Sequence, residues 1–284
     1  MEIKNLENTT DVQLYDAFIS AFSNYEVKID LSLERFRLIT YAKDYDKALS
    51  IGCFDGDELL GFVITGRRGD ICYDIATGVT AGNQNRGIGG LLLNSLIDSC
   101  GSAGISEFYL EVLQNNKPAQ SLYTKNGFEI GRSLCCYELE RDSGFIPDAD
   151  SAAEGVRIFE AEALPEAAAQ NISAWQGFEP TWQNSSLTWK NSEAANMVLH
   201  AELGGRFAGY IIADRNKGNV LQLGTDPSLT AADADACRRS LIDAFPVPKL
   251  YLINIEENSG LCRFYDRQPD IKATVKQYEM ICRF

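Results

Sequence analysis

The sequence predicts an α+β protein made of two tandem domains, each with a mixed, mostly antiparallel sheet and flanking helices. Three observations support this prediction: a hairpin signal, a strand–helix–strand crossover and an internal repeat. The hairpin signal is Asp55-Gly56 between two apolar runs, because this dipeptide favours the tight turns that join antiparallel strands. A crossover of the length seen between residues 72 and 112 joins parallel strands.

Apolar periodicity and turn residues define the elements of the first half. The predicted elements are helices at 12–22 and 33–42, strands at 49–54, 58–64 and 72–80, a helix that starts near residue 87, and a strand at 108–112. The next helix begins near Lys117-Pro118, since proline is tolerated in a first turn, and ends before Gly127. A closing hairpin is predicted from Phe128 to Leu139.

The second half repeats this order, which predicts an internal duplication. Its predicted elements are a helix at 163–175, a hairpin around 202–211, a strand at 220–223, a helix at 231–245 and a strand at 250–255. Asn258 and Tyr265 have the same seven-residue spacing as Asn116 and Tyr123. The alternative is a chance similarity between two unrelated domains.

A polar segment with glycine and proline, residues 141–151, separates the two halves. We therefore predict a first domain at 1–141, a linker at 142–154 and a second domain at 155–284. With 284 residues, 45% of them apolar, the chain is long enough to bury two cores of ordinary size.

Composition argues against several functional classes. The net charge of −14 opposes binding to nucleic acid or to anionic membranes, and it is compatible with a cationic or amine substrate. No run approaches the roughly 18 apolar residues of a membrane span, and the start lacks the pattern of a signal peptide. We expect a cytoplasmic protein without a membrane partner.

Cysteine and histidine usage argues against disulfides and metal chemistry. The eight cysteines are scattered through a chain that is too large to need disulfide staples, so we expect reduced, mostly buried thiols. The single histidine, His200, lies in a strand-like run without a ligand at suitable spacing, which favours a structural role. No metal is expected.

The run from Val79 to Gly90 predicts an anion site. It reads as the end of a strand, a glycine-containing loop and the first turn of a helix. Amides at a helix N-terminus have no intrahelical partner and lie at the positive end of the helix dipole. Gly87, Gly89 and Gly90 have no Cβ that would hold a phosphate away from those amides. A nucleotide site is the weaker interpretation, since Gly-Lys-Ser/Thr and a full Gly-x-Gly-x-x-Gly are missing.

Two motifs in this region resemble one known family. Residues 84–89, Gln-Asn-Arg-Gly-Ile-Gly, match the Gln/Arg-x-x-Gly-x-Gly/Ala loop of the GNAT superfamily of acyl-CoA-dependent N-acetyltransferases. Residues 110–128 are similar to that family's Leu-Glu-Val…Asn…Leu-Tyr…Gly-Phe block. The resemblance is clear over residues 53–139 and weaker in the rest of the chain, and it implies two tandem GNAT-like domains.

The resemblance implies that acetyl-CoA is the co-substrate and which residues bind it. Its pyrophosphate is expected on the loop amides, with Arg86 either adding a charge or lying in solvent, and its pantetheine beside the strand that precedes the loop. Gly78 is expected to mark a bulge that separates this strand from the next. Asn116 is expected to contact the cofactor or to cap the following helix. The implied cofactor-binding residues are Thr77, Gly78, Val79, Gln84, Asn85, Arg86, Gly87, Ile88, Gly89, Gly90 and Asn116.

The resemblance also implies the catalytic residues. Tyr123 corresponds to the family's general acid, which protonates the departing thiolate. Glu111, twelve residues earlier, corresponds to a glutamate that helps to deprotonate the amine in ribosomal-protein alanine acetyltransferases of this family. Glu111 could equally be an outward strand residue, and Asp74 is a second, weaker candidate for a base or a substrate anchor.

The second half departs from the family pattern, so we expect a degenerate domain. At the expected loop it has no glycine pair, and Asp233 and Asp235 would repel a pyrophosphate at the helix start. Tyr265 is then expected to be a core residue.

The predicted function is an N-acetyltransferase that acts by direct attack of a primary amine on acetyl-CoA. The expected partner is a small-molecule or peptide amine, with a slight preference for polycations, and a homodimer is left open as an assembly. The alternative is a non-catalytic acyl-CoA-binding regulatory or scaffold protein. Fold-level analogy does not identify the acceptor.

Overall fold

The computed structural model describes residues 1–23, 31–142 and 152–284, and it divides the chain into two compact units. Unit 1 comprises Met1–Gly131 together with Tyr278–Phe284, and unit 2 comprises Arg132–Gln277. These bounds differ from the predicted domains, because the segments around 132–141 and 278–284 each belong to the other half's unit. Residues 143–151, most of the predicted linker, lie outside the described residues.

Unit 1 has five strands and four helices of its own among the described residues. The strands are β1 (Glu2–Asn5), β2 (Ile51–Asp55), β3 (Glu58–Arg68), β4 (Ile71–Val79) and β5 (Glu107–Leu113), and the helices are α1 (Asp11–Ala21), α2 (Leu33–Ala42), α3 (Ile88–Ser102) and α4 (Lys117–Lys125). The strands lie in the order β1-β2-β3-β4-β5, antiparallel except for the parallel pair β4 and β5. The mixed sheet and its single crossover are as predicted.

Unit 2 repeats this arrangement. Its strands are most of β6 (Glu129–Glu140), then β7 (Val156–Ala161), β8 (Asn196–Leu203), β9 (Arg206–Asp214), β10 (Asn219–Thr225), β11 (Lys249–Glu256) and the first part of β12 (Ile271–Arg283). Its helices are α5 (Glu166–Ala169), α6 (Ile172–Gln176), α7 (Ser186–Asn191), α8 (Ala231–Ala244) and α9 (Gly260–Asp266), with 3₁₀ turns at Trp182–Asn184 and Glu193–Ala195. The strands lie in the order β6-β11-β10-β9-β8-β7, with only β10 and β11 parallel among the pairs described.

Two predicted elements are wrong. The hairpin predicted from Phe128 to Leu139 is the single strand β6, whose residues from Leu134 to Glu140 pair with β11, for example Leu139 with Leu250. The single helix predicted at 163–175 is two short helices, α5 and α6, because the helical conformation is interrupted at Gln170 and Asn171.

The internal duplication extends to the register of the sheets. In unit 1, Phe62 lies opposite Gly78, and a Cβ on this glycine would come within 2.8 Å of the phenyl ring. In unit 2, Tyr210 lies opposite Gly224, where a Cβ would come within 2.7 Å of the phenol ring. Both pairs place an aromatic ring over a strand glycine, and no side chain fits at either glycine.

Unit 1 buries apolar side chains on both faces of its sheet. Phe62 and Ile64 pack towards α1 and α2 on one face, and Val63 and Leu92 belong to the core beneath α3 and α4 on the other. The main core of unit 2 includes Leu241, a buried residue of α8. All eight cysteines are buried, and none of them forms a disulfide. Among the described helices, none is both long and apolar enough to span a bilayer.

Candidate active site

A cleft opens in unit 1 where β4 and β5 diverge. Their parallel ladder pairs Ile71 with Glu107 and ends at Tyr73 with Tyr109, although β4 continues to Val79 and β5 to Leu113. Beyond this point β4 pairs only with β3 among the described strands. The stretch 77–79, predicted to bind pantetheine, therefore has one edge without a neighbouring strand.

A β-bulge in β4 shapes one wall of this cleft. Ile64 pairs with Ala76 and the next residue, Thr65, pairs with Asp74, so Ile75 is an extra residue in β4. Residues three apart on a regular strand point to opposite faces, and the extra residue brings Asp74 and Thr77 to the same face. The prediction of a bulge at Gly78 is wrong, because Gly78 pairs regularly and is required by packing.

Asp74 and Tyr123 form the centre of the site. The Tyr123 hydroxyl, from α4, donates to Asp74 Oδ2 at 3.1 Å, and the Thr77 hydroxyl donates to the same oxygen at 2.6 Å. Asp74 is 7% exposed, and its other oxygen, Oδ1, accepts no hydrogen bond from the described residues. Burial raises the pKa of Asp74 to about 6, against the lowering effect of the two hydroxyls and of Lys43.

A second group of side chains surrounds Glu111. The Tyr73 hydroxyl donates to a Glu111 carboxylate oxygen. Lys43, which follows α2, places its Nζ 5.9 Å from the centre of the Tyr73 ring. Burial lowers the pKa of Lys43 to about 8, although Glu111 and Asp74 partly oppose this shift. The cleft thus holds one ammonium group and two carboxylates.

The two predicted catalytic residues each contact a neighbouring side chain of the cleft. The Tyr123 hydroxyl bonds to Asp74, whereas the Glu111 carboxylate bonds to Tyr73. Sequence reasoning missed Tyr73 and Lys43, because the role of Tyr73 depends on the β4–β5 register and Lys43 comes just after a helix end. The weaker candidate, Asp74, is the one in contact with Tyr123.

The start of α3 presents free amides. Asn85 and Gly87 have positive φ angles of 61° and 79°, and Gly87 is the N-cap residue. None of the described residues accepts a hydrogen bond from the amides of residues 85–89. The prediction that the Gly90 amide belongs to this set is wrong, because this amide donates to the Gly87 carbonyl at 3.1 Å. Ile88 is 1% exposed and anchors the helix start in the core.

Three predicted cofactor residues make bonds within the protein. Gln84 donates to the Val79 carbonyl at 3.3 Å, and the Arg86 guanidinium donates to the Asn83 side chain. Asn116 caps α4, with its Oδ1 accepting from the Ala119 amide at 3.2 Å. These bonds hold the loop and the helix start in place.

The corresponding helix start in unit 2 has a side-chain cap. Thr230 caps α8: its hydroxyl oxygen accepts from the Asp233 amide at 3.2 Å and the hydroxyl donates to the Asp233 carboxylate at 2.7 Å. The Asp233 carboxylate therefore lies in the first turn of α8, where its charge opposes a bound anion. Tyr265 is fully buried, and its hydroxyl has no hydrogen-bond partner among the described residues.

His200 belongs to unit 2. It is 7% exposed and packs between the rings of Phe159 and Phe207, at centroid distances of 5.6 Å and 4.8 Å. Burial lowers its pKa, which favours the neutral imidazole. In the described part of the chain, no three histidine, cysteine, aspartate or glutamate side chains gather where they could hold a metal ion.

Comparison with known proteins places these features in a family. Residues 12–128 match the sequence model of the acetyltransferase (GNAT) family, and this range includes β4, the loop before α3 and the Tyr123 helix. No curated protein matches the chain.

Solved structures share the fold over the full chain. A putative acetyltransferase from Pyrococcus horikoshii is 16% identical, with 100% of this chain and 89% of that chain covered and a TM-score of 0.69. A GCN5-related N-acetyltransferase from Sphaerobacter thermophilus is 13% identical, with coverages of 99% and 95% and a TM-score of 0.71. A tandem GNAT protein from the clavulanic acid biosynthesis pathway is 12% identical, with coverages of 99% and 98% and a TM-score of 0.70.

At these identities the solved structures establish the fold, while the family match covers the part of the chain that holds the cleft. Residues 12–128 match the acetyltransferase (GNAT) family model, and the chain as a whole has the fold of the tandem GNAT structures.

Proposed function

We propose that the protein is an acetyl-CoA-dependent N-acetyltransferase whose active site lies in unit 1. The observation that supports this most directly is the position of the Tyr123 hydroxyl against Asp74, beside the diverging strands β4 and β5, within the part of the chain that belongs to the family. Acyl transfer is the general chemistry of that family.

The cofactor site in this proposal uses main-chain groups. The free amides of residues 85–89 bind the pyrophosphate of acetyl-CoA, since they combine unpaired donors with the positive end of α3. The open edge of 77–79 pairs with the amides of pantetheine, in the way that an extended peptide adds to a sheet. Arg86 can leave Asn83 to contact a phosphate.

The side chains of the cleft supply proton transfer and charge. Tyr123 protonates the sulfur as the thiolate leaves, because a departing thiolate needs a proton donor within hydrogen-bond reach. The carboxylates of Glu111 and Asp74 attract a protonated amine and can accept its proton. A small-molecule or peptide amine is therefore the acceptor that this cleft favours.

The test combines binding and turnover. Calorimetry with acetyl-CoA measures the cofactor site, and release of free CoA measures transfer to butylamine, spermidine, lysine and a short peptide with a free N-terminus. We expect binding of acetyl-CoA and CoA release with at least one amine class. Tyr123→Phe should lower turnover by about 10²- to 10⁴-fold and leave the Kd for acetyl-CoA within a few-fold.

Two outcomes would contradict the proposal. Binding of acetyl-CoA without CoA release for any amine class would favour the acyl-CoA-binding regulatory protein instead. Unchanged turnover and pH dependence in Tyr123→Phe would remove Tyr123 as the acid.

A further inference from the structure

We propose that Lys43 is a self-acetylation site: when no amine acceptor is bound, its Nζ takes the acetyl group of the acetyl-CoA held by the same molecule. This inference rests on the proposed acetyltransferase function. It gives a chemical role to the amine of the unit 1 cleft, which the reaction with a free acceptor does not consume.

The backbone fixes Lys43 at the edge of the cleft. It is the C-cap residue of α2, and its amide donates to the Ile39 carbonyl at 3.2 Å. The next residue, Asp44, accepts from the Arg67 amide at 3.0 Å through its carbonyl and from the Arg68 guanidinium at 2.6 Å through its carboxylate. The turn after α2 is therefore bonded to β3, which fixes the point from which the Lys43 side chain starts.

The side chain of Lys43 ends among the groups that the proposed reaction uses. Its Nζ lies 5.9 Å from the centre of the Tyr73 ring, and the Tyr73 hydroxyl donates to Glu111. Both Glu111 and Asp74 attract its charge, and Asp74 accepts from the Tyr123 hydroxyl at 3.1 Å. Because Tyr123 is the proposed proton donor to the thioester sulfur, the Lys43 amine and the reacting carbon belong to one cluster of groups.

Burial makes more of this amine reactive. It lowers the pKa of Lys43 from 10.5 to about 8, although the carboxylates oppose this shift. Only the neutral amine attacks a thioester, and at pH 8 about half of Lys43 is neutral, against less than about 1% of an ordinary lysine. The titratable and charged groups around it are Tyr73 and Asp74 on β4, Glu111 on β5, Tyr123 on α4, and the ion pair of Asp44 with Arg68 on β3.

The transfer balances without a further co-reactant. The neutral Nζ attacks the thioester carbon, the N–C bond forms, and the surplus proton on nitrogen moves to a carboxylate of the cleft. The C–S bond then breaks, and the sulfur takes the proton of Tyr123. Exchange with water removes the proton from the carboxyl group and returns one to the phenolate. The products are Nε-acetylated Lys43, which has lost its positive charge, and CoA with a free thiol.

Unit 2 has no lysine at the corresponding position. Arg67 and Arg215 each lie two residues after the strand residue that precedes the bulge, and the Arg215 amide donates to the Ala195 carbonyl at 2.8 Å. Ala195 therefore corresponds to the residue after Lys43, and Ala194 corresponds to Lys43 itself. The amine is present in the unit to which we assign acetyl-CoA.

The test is incubation of the purified protein with acetyl-CoA and no amine acceptor, followed by mass spectrometry of its peptides. We expect one acetyl group on Lys43 and one equivalent of released CoA, at a first-order rate that does not depend on protein concentration. The rate should level off above about pH 8, where Lys43 is neutral. Tyr123→Phe should slow it by about 10²-fold or more.

Lys47 provides a matched control in the same unit. Its side chain is 41% exposed and forms an ion pair with Asp11 at 3.3 Å. Lys43→Arg should abolish the release of CoA in the absence of an acceptor, whereas Lys47→Arg should leave it unchanged. Melting curves show whether each variant is folded.

The outcomes separate self-acetylation from the proposed function. If the protein acetylates a free amine and Lys43 gains its acetyl group no faster than Lys47, the inference is wrong and the acetyltransferase proposal stands. A rate on Lys43 that is unchanged in Tyr123→Phe, or that rises with protein concentration, would also overturn the inference. If the protein binds acetyl-CoA and acetylates neither an amine nor Lys43, both proposals fail.

Discussion

Units 1 and 2 have the same scaffold, and they differ in the polar groups that chemistry would need. Both contain a bulge at the same place: Thr65 pairs with Asp74 before the extra residue in β4, and Ala213 pairs with Val220 before the extra residue in β10. Val220 therefore occupies in unit 2 the place that Asp74 occupies in unit 1. The backbone is retained, and the carboxylate is replaced by an apolar side chain in the core.

The next strand shows the same replacement. The parallel ladders align Tyr73 with Tyr109 in unit 1 and Asn219 with Tyr251 in unit 2. Two residues further along, unit 1 has Glu111 and unit 2 has Ile253. Both carboxylates of the unit 1 cleft thus have aliphatic counterparts in unit 2, although the tyrosine on the following helix is present in both.

The helix starts differ at the N-cap and at the third residue. In α3 these residues are Gly87 and Gly90, and in α8 they are Thr230, which caps the helix, and Asp233, whose carboxylate accepts from the Thr230 hydroxyl. The two units thus keep the same strand–loop–helix scaffold, while the helix start has unpaired amides in unit 1 and a side-chain cap in unit 2.

Gly90→Asp should place the carboxylate of the third α8 residue at the corresponding position of α3. A Cβ at Gly90 meets no atom within 4 Å, so the side chain fits. The new carboxylate should weaken acetyl-CoA binding by about 10- to 100-fold, since a like charge at the helix start opposes the pyrophosphate. Calorimetry measures this loss. Gly90→Ala is the control, and an equal loss in that variant would show that side-chain bulk, and not charge, is responsible.

Asp74→Asn should stabilise the protein at neutral pH. The folded-state pKa of Asp74, about 6, lies above its ordinary value of 3.8, so stability is lost as the pH rises between these two values and stays lost above them. The difference corresponds to on the order of 2 to 3 kcal/mol. Urea unfolding of both proteins at pH 4 and pH 8 measures it: the variant should gain stability only at the higher pH. A gain of equal size at pH 4 would rule out ionisation of Asp74 as the cause.

Tyr265→Phe should have the smallest effect on stability. Its hydroxyl is buried and without a partner among the described residues, and burial raises the pKa of this phenol well above its ordinary range. Removal of an unsatisfied hydroxyl should therefore change the free energy of unfolding by less than about 1 kcal/mol, in the stabilising direction. A loss of 2 kcal/mol or more in urea unfolding would show that the hydroxyl has a partner.

The sequence was informative where function depends on a local segment. The glycine loop and the Asn116–Tyr123 spacing lie within short stretches whose geometry follows from helix starts and caps, and the structure places both beside the cleft. The pairing of Asp74 with Tyr123 could not be predicted, because it depends on a bulge that no residue type in β4 reveals.

The sequence also did not predict that most of β6 belongs to unit 2 and that the end of β12 belongs to unit 1. A duplicated chain offers two similar sheets, and the alternation of apolar residues along a strand fits the edge of either one. The C-terminal residues Met280 and Cys282 pack in the unit 1 core, whereas Tyr137 and Leu139 pack in the unit 2 core. A local pattern specifies that these segments are strands, and it does not specify their partners.

The central claim is that unit 1 catalyses and unit 2 does not. The most direct test compares Tyr123→Phe with Tyr265→Phe in one CoA-release assay at saturating acetyl-CoA, because each variant loses the hydroxyl of the tyrosine that lies seven residues after Asn116 or Asn258. We predict that Tyr123→Phe loses about 10²-fold or more in turnover while Tyr265→Phe keeps the wild-type rate. Equal losses in the two variants, or a loss confined to Tyr265→Phe, would contradict the account.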